Sequence, residues 1–162
     1  MTNDDRVVQR SRRRFLVETA ALAGAAGMGL ALDAAPAPAT PASMHTAIRK
    51  VVGEAPLNKG KLKIDVPALI ENGNAVPLTV SCESPMTESD HVKAIHVFSE
   101  KNPQPNVVSV HLGPRSGRAT VSTRIRLADS QKIIAIAQMS DGSFWSNEAE
   151  VIVTLAACLE GV

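Results

Sequence analysis

The sequence predicts an all-β fold: a β-sandwich with one short N-terminal helix and a flexible C-terminal tail. Three observations carry this reading. From Lys61 onward, seven short runs place apolar residues at every second position, the period of a half-buried strand. Clusters of Gly, Pro, Asn and Asp punctuate those runs as turns. No helical period returns after the first run, and seven short strands at this spacing argue a sandwich.

The chain opens on Ser11-Arg12-Arg13-Arg14-Phe15-Leu16, a twin-arginine pattern, followed by a weakly apolar Ala/Gly-rich run from Thr19 to Leu32. That run is too short and too glycine-rich to span a bilayer. Residues 1–39 therefore read as a twin-arginine signal peptide, with cleavage expected after Ala37-Pro38-Ala39. Export by this route implies a periplasmic protein with no membrane attachment once the signal is cut. The remaining segments are an expected domain over 40–155 and a tail over 156–162.

Ser43 to Val52 reads as an amphipathic helix, with Met44, Ala47, Ile48 and Val51 on one side and Gly53 and Pro56 ending it. Lys61 to Val66 is the first expected strand. In the second, Val76, Leu78, Val80 and Cys82 oppose Pro77, Thr79, Ser81 and Glu83. Pro77 marks it as an edge strand or as the strand's first position, and Asn72-Gly73-Asn74 is the turn before it. Val92 to Ser99 and Val107 to Leu112 follow. Ala119, Val121, Thr123, Ile125 and Leu127 then alternate with Thr120, Ser122, Arg124 and Arg126, a strand with one wet face. Ile133 to Met139 is apolar on both faces and so is expected at the centre of a sheet. Its second face is expected to meet a partner. The last strand, Glu148 to Leu155, sets Ala149, Val151, Val153 and Leu155 against Glu148, Glu150 and Thr154.

Charge and composition exclude several function classes. The chain has 17 Lys+Arg and 16 Asp+Glu, and residues 1–39 hold five arginines and four acids, so the expected mature chain is neutral. No basic patch remains for nucleic acid or an anionic membrane. Mature aromatics are Phe98, Phe144 and Trp145 alone, too few for a stacking platform. His45, His91, His96 and His111 show no metal-ligand spacing, and His91 and His96 leave a strand on opposite faces. Neither a GxSxG elbow nor a phosphate-binding glycine loop occurs.

The two cysteines differ. Cys82 shares a face with Val76, Leu78 and Val80 and reads as a buried small hydrophobe. Cys158 lies three residues past the last expected strand, where its own neighbours cannot pack it deeply, so its sulfur is expected to be exposed and mobile. An exposed thiol is a nucleophile and an attachment point.

The twin-arginine signal, PALIENGNAVPLTV, Ser84-Pro85-Met86, SEKNPQPNVV, STRIRLADSQ, AQMSDGSFW and a terminal EVIVT strand before a cysteine together resemble the SoxY family. These are sulfur carriers of the periplasmic Sox sulfur-oxidising system. The resemblance covers about Gly60 to Cys158. It implies an immunoglobulin-like sandwich paired with SoxZ. It also implies a non-enzymatic carrier that needs no cofactor beyond a covalent sulfur adduct on Cys158. In the family Sox(XA) loads the carrier, SoxB hydrolyses off sulfate and Sox(CD) oxidises the sulfane sulfur.

One stretch departs from the pattern. The family tail is Gly-Gly-Cys-Gly-Gly, whereas here Ala156, Ala157, Leu159 and Glu160 flank Cys158. Alanine resists conformations that glycine adopts; Leu159 adds bulk, and Glu160 sets a negative charge near anionic adducts. Two further readings follow. One is a SoxZ-binding or self-associating sandwich whose altered tail no longer cycles sulfur. The other, an independent thiol oxidoreductase, lacks a resolving cysteine and a group to lower the thiol pKa.

Overall fold

The computed structural model describes residues 40–156. Helix α1 (Pro41–Val52) starts two residues before the expected Ser43 because Thr40 caps it. The Ser43 N–H donates to the Thr40 hydroxyl (3.2 Å) and the Thr40 N–H to the Ser43 hydroxyl (3.1 Å), a reciprocal box that satisfies otherwise orphaned donors. Pro41 enters where a missing N–H is harmless. Gly53, at φ 63, closes the helix by donating to the Arg49 carbonyl at 2.8 Å.

Nine strands follow: β1 (Leu57–Asn58), β2 (Leu62–Asp65), β3 (Leu69–Ile70), β4 (Val76–Cys82), β5 (Val92–Ser99), β6 (Asn106–His111), β7 (Thr120–Ile125), β8 (Gln131–Met139) and β9 (Phe144–Val153). The larger sheet runs β1-β9-β8-β5-β6, with β3 also on β9, and the smaller runs β2-β4-β7. Leu62, Val76, Leu78 and Val80 of the small sheet meet Ile95, Val97, Ile133, Ala135, Ala137 and Val151 of the large one, which makes the two sheets a sandwich with a shared core. Fully burying a side chain of this size stabilises by roughly 1.5–3 kcal/mol.

Several elements differ from the sequence reading, each for a local reason. β9 begins at Phe144, four residues before Glu148, because the turn at Asp141-Gly142 closes a hairpin that pairs Phe144–Asn147 with Gln138–Ala135. It ends at Val153, so Leu155 lies beyond the strand, exposed. β1 and β3, only two residues each, exist because both add in parallel to the free edge of β9. Between them the chain crosses to the small sheet as β2, and Gly60, at φ 118, makes the crossing possible. β4 is central in its sheet, not an edge. Pro77 is tolerated there because pairing with β2 stops at Thr79, so its missing N–H breaks no bond on that side.

β8 is central, between β9 and β5. Its second apolar face does not await a partner, however. α1 lies over it, and Met44, Ile48 and Val52 pack with Phe98, Ile136 and Phe144. The apolar second face of Ile133–Met139 is this chain's own helix seat.

Candidate functional site

Cys158 and its flanking residues Ala157, Leu159 and Glu160 lie outside the described residues; Ala156, half-buried, is the last one described. What the fold defines is the root from which that tail departs. β9 is held along its last residues from two sides. On one side the Ile152 N–H donates to the Ala68 carbonyl (2.8 Å) and the Thr154 N–H to the Ile70 carbonyl (2.9 Å). The Thr154 hydroxyl donates to the Glu71 carbonyl at 3.1 Å. One step further, the Gly73 N–H donates to the Leu155 carbonyl at 2.8 Å. On the other side the Val153 N–H donates to the Ser130 hydroxyl at 2.9 Å. The chain is therefore held by hydrogen bonds through Leu155, three residues before Cys158.

A buried amide network braces the same end of the sandwich. The Ala128 N–H and the Gln131 side-chain amide both donate to Asn102 Oδ1, at 2.9 and 3.0 Å. Asn102 Nδ2 donates to the Arg126 carbonyl (2.8 Å), and Gln131 Oε1 accepts from the Lys101 N–H (2.7 Å). The β5–β6 and β7–β8 loops are tied together by two side chains. Asn102, read from sequence as a turn residue, is buried and serves as this tie.

Cys82 is buried, as its parity indicated, and ends β4. Burial pushes its thiol up to about 11; the Lys61 ammonium opposes this, and the Glu83 and Asp90 carboxylates add to it. About 20 Å of strand separates Cys82 from Val76, which is next to the turn that holds Leu155. It is an inert thiol at the end away from the root.

The histidines form no metal-binding group: no three His, Cys, Asp or Glu side chains converge among the described residues. His96 and His111 meet edge to face with ring centres 6.1 Å apart. His96 Nδ1 lies 2.8 Å from Ser109 Oγ, and that hydroxyl donates to Asn106 Oδ1 at 3.1 Å. The ring nitrogen must then be the donor toward Ser109, so it cannot act as its base. Burial, and then the nearby His111, lower the His96 pKa below its ordinary value.

The family model described as sulfur oxidation protein SoxY matches residues 48–158, a stretch whose last residue is Cys158. The chain belongs to the SoxY family. Among solved structures, the sulfur carrier protein SoxY from Chlorobium limicola f thiosulfatophilum is 29% identical with a TM-score of 0.59, over 70% of this chain and 98% of that one. A superoxide reductase (neelaredoxin) from Ignicoccus hospitalis, 18% identical, has a TM-score of 0.52 over 58% of this chain and 80% of that one. A putative superoxide reductase from Thermotoga maritima, 20% identical, has the same score over 60% and 93%. These two show the sandwich fold alone. No curated protein sequence matches.

In this SoxY family member, three of the motifs behind the resemblance converge on the tail root. PALIENGN supplies β3 and Gly73, SEKNPQPN supplies Asn102, and RLADSQ supplies Ser130 and Gln131. Sequence reasoning missed β3, the Asn102 tie and Ile152. Ile152 left a trace: it is an aliphatic on the face where Glu148 and Glu150 are wet.

Proposed function

We propose that this chain is a covalent sulfur carrier in thiosulfate oxidation, with Cys158 as the attachment point, acted on by separate enzymes. The observation that carries this is the family match through Cys158, joined to a fold that holds the chain by hydrogen bonds through Leu155, three residues before that cysteine. Cys82 is walled in and raised to about 11, which leaves Cys158 as the reactive thiol.

The chemistry balances on one sulfur. The Cys158 thiolate and thiosulfate join to give Cys–S–S–SO3⁻, with two electrons passing to a loading oxidase of the Sox(XA) kind. Water then cleaves the S–SO3 bond, releasing sulfate and two protons and leaving a persulfide, the step assigned to SoxB. Oxidation of the persulfide sulfur by an enzyme of the Sox(CD) kind takes up three waters and releases six electrons and six protons. A second hydrolysis returns the thiolate. Tethering makes each later step effectively intramolecular. SoxZ is the proposed stable partner, and export by the twin-arginine route as a 40–162 chain the proposed path to the periplasm. No helix among the described residues is long and apolar enough to cross a membrane.

The tail favours one competing reading, a SoxZ-binding or self-associating subunit that no longer cycles sulfur, because Ala156, Ala157, Leu159 and Glu160 replace the family glycines. Complementation separates the two. In a strain that lacks its own carrier, the wild-type chain restores sulfate release from thiosulfate and Cys158→Ser does not. Equal activity of the two, or none from either, favours the competing reading.

A further inference from the structure

The root of the tail carries a bare apolar surface. Four large aliphatic side chains are exposed among the described residues, and three of them lie on the β3–β9 pair or two residues beyond its end: Leu69 (61% exposed), Ile152 (59%) and Leu155 (59%). Leu69 and Ile152 are direct partners across the β3–β9 pair, so they stand side by side on one face, while Ile70 and Val153 beside them point into the core. Leu155 follows three residues later, its carbonyl pinned by Gly73. Packing among the described residues does not account for aliphatics here. The preceding outward positions of β9 are the exposed Glu148 and Glu150, as a wet face requires.

Reach decides what covers the surface. From Ala156 to Cys158 is two residues, about 7 Å of extended chain. A reactive centre that engages the Cys158 sulfur therefore lies within about 10 Å of Ala156 once the side chain is added. The walls of any catalytic cleft around that centre must come down on Leu155 and the strand pair beside it.

We infer that Leu69, Ile152 and Leu155 form the docking surface for the enzyme that acts on Cys158, and that the mouth of its cleft carries a matching apolar rim. The inference rests on Cys158 being the sulfur-bearing group. Beside Ile152 lies a depression of about 460 Å³ whose walls include Glu100, Lys101, Lys132 and Glu150. An apolar centre bordered by charges of both signs is the anatomy of a protein–protein contact, in which the centre gives most of the affinity. The bracing by Asn102 and Gln131 presents this surface in one fixed shape, which keeps the ordering cost of docking low.

The test uses the full-length exported chain, thiosulfate and the loading enzyme purified from thiosulfate-grown cells. Adduct on Cys158 is followed by intact mass as the carrier concentration is varied, for wild type, Ile152→Asp, Leu69→Asp and the conservative Ile152→Val. The expected result is a KM for the carrier raised about tenfold or more in the two aspartate variants, the size expected of a hot-spot change. The limiting rate, thermal midpoint and elution volume should stay unchanged, and Ile152→Val should behave as wild type. An unchanged KM overturns the inference. So does loss of a co-purifying subunit or of self-association in the aspartate variants, which would make the surface a subunit contact. If the wild type itself takes up no adduct, it is the carrier reading that fails, a result distinct from either.

Discussion

The two ends of β9 carry aliphatic or aromatic side chains on the same outward face, yet among the described residues only one end is covered. At the Phe144 end, α1 lies on the sheet, and Met44, Ile48 and Val52 bury Phe144 together with Phe98 and Ile136. Eight residues on, about 27 Å along the strand, Ile152 stands exposed beside Leu69, with nothing among the described residues over it. The covered end serves stability, and the open end is the proposed docking surface. The difference teaches that a second apolar face on a strand is not evidence of a partner until the chain's own helices have been placed.

If the comparison is right, substitutions at the covered end damage folding and those at the open end do not. Phe98→Ala, at a fully buried ring under α1, is expected to cost about 3–5 kcal/mol in denaturant unfolding. A loss below about 1 kcal/mol would mean that α1 is not packed there. Asn102→Ala is the corresponding probe of the bracing network. It leaves the Ala128 N–H and the Gln131 amide without their shared acceptor, an expected cost of about 1–3 kcal/mol. Near-neutral behaviour would show that the loops at the root are not tied through this residue.

Cys82→Ser puts a hydroxyl where a thiol is buried beside the core, and about 1–3 kcal/mol of destabilisation is expected with sulfur loading intact. Loss of loading without loss of stability would assign Cys82 a role denied to it here. Thr40→Ala removes one half of the capping box that starts α1, an expected loss of about 1 kcal/mol. A pH series adds a finer test. Because His96 is held below its ordinary value of 6.5, the unfolded chain takes up the proton first as pH falls. Stability is then flat with respect to this group above about pH 6.5 and declines below it. His96→Gln should remove that part of the decline, and an unaltered slope would contradict the burial of a neutral ring.

The strands legible in the sequence were those whose pattern is local. Val92–Ser99 matches to the residue, and the run from Val76 matches but for Glu83 at its end, because alternation or a dense apolar run is bounded by turn residues on both sides. β1 and β3 were not legible. Two residues carry no period, and each is a strand only because β9, more than eighty positions later, offers it an edge. Asn102 read as a turn residue for the same reason, since its hydrogen-bond partners at Arg126, Ala128 and Gln131 lie far along the chain. The proposed attachment residue, Cys158, was read from the tail and the family motifs alone and lies outside the described residues. The clamp that ends at Leu155 and the exposed Ile152–Leu69 pair needed three dimensions.

The most direct test of the account is the mass of the cysteine-bearing peptides after thiosulfate turnover. Exported wild-type protein, loaded and then digested without reductant, should yield the Cys158 peptide with a thiosulfate-derived adduct and the Cys82 peptide unmodified. Cys158→Ser should yield no adduct while unfolding within about 0.5 kcal/mol of wild type, as a surface change does. Adduct on the Cys82 peptide, or adduct persisting in Cys158→Ser, would contradict the assignment of Cys158 as the carrier thiol.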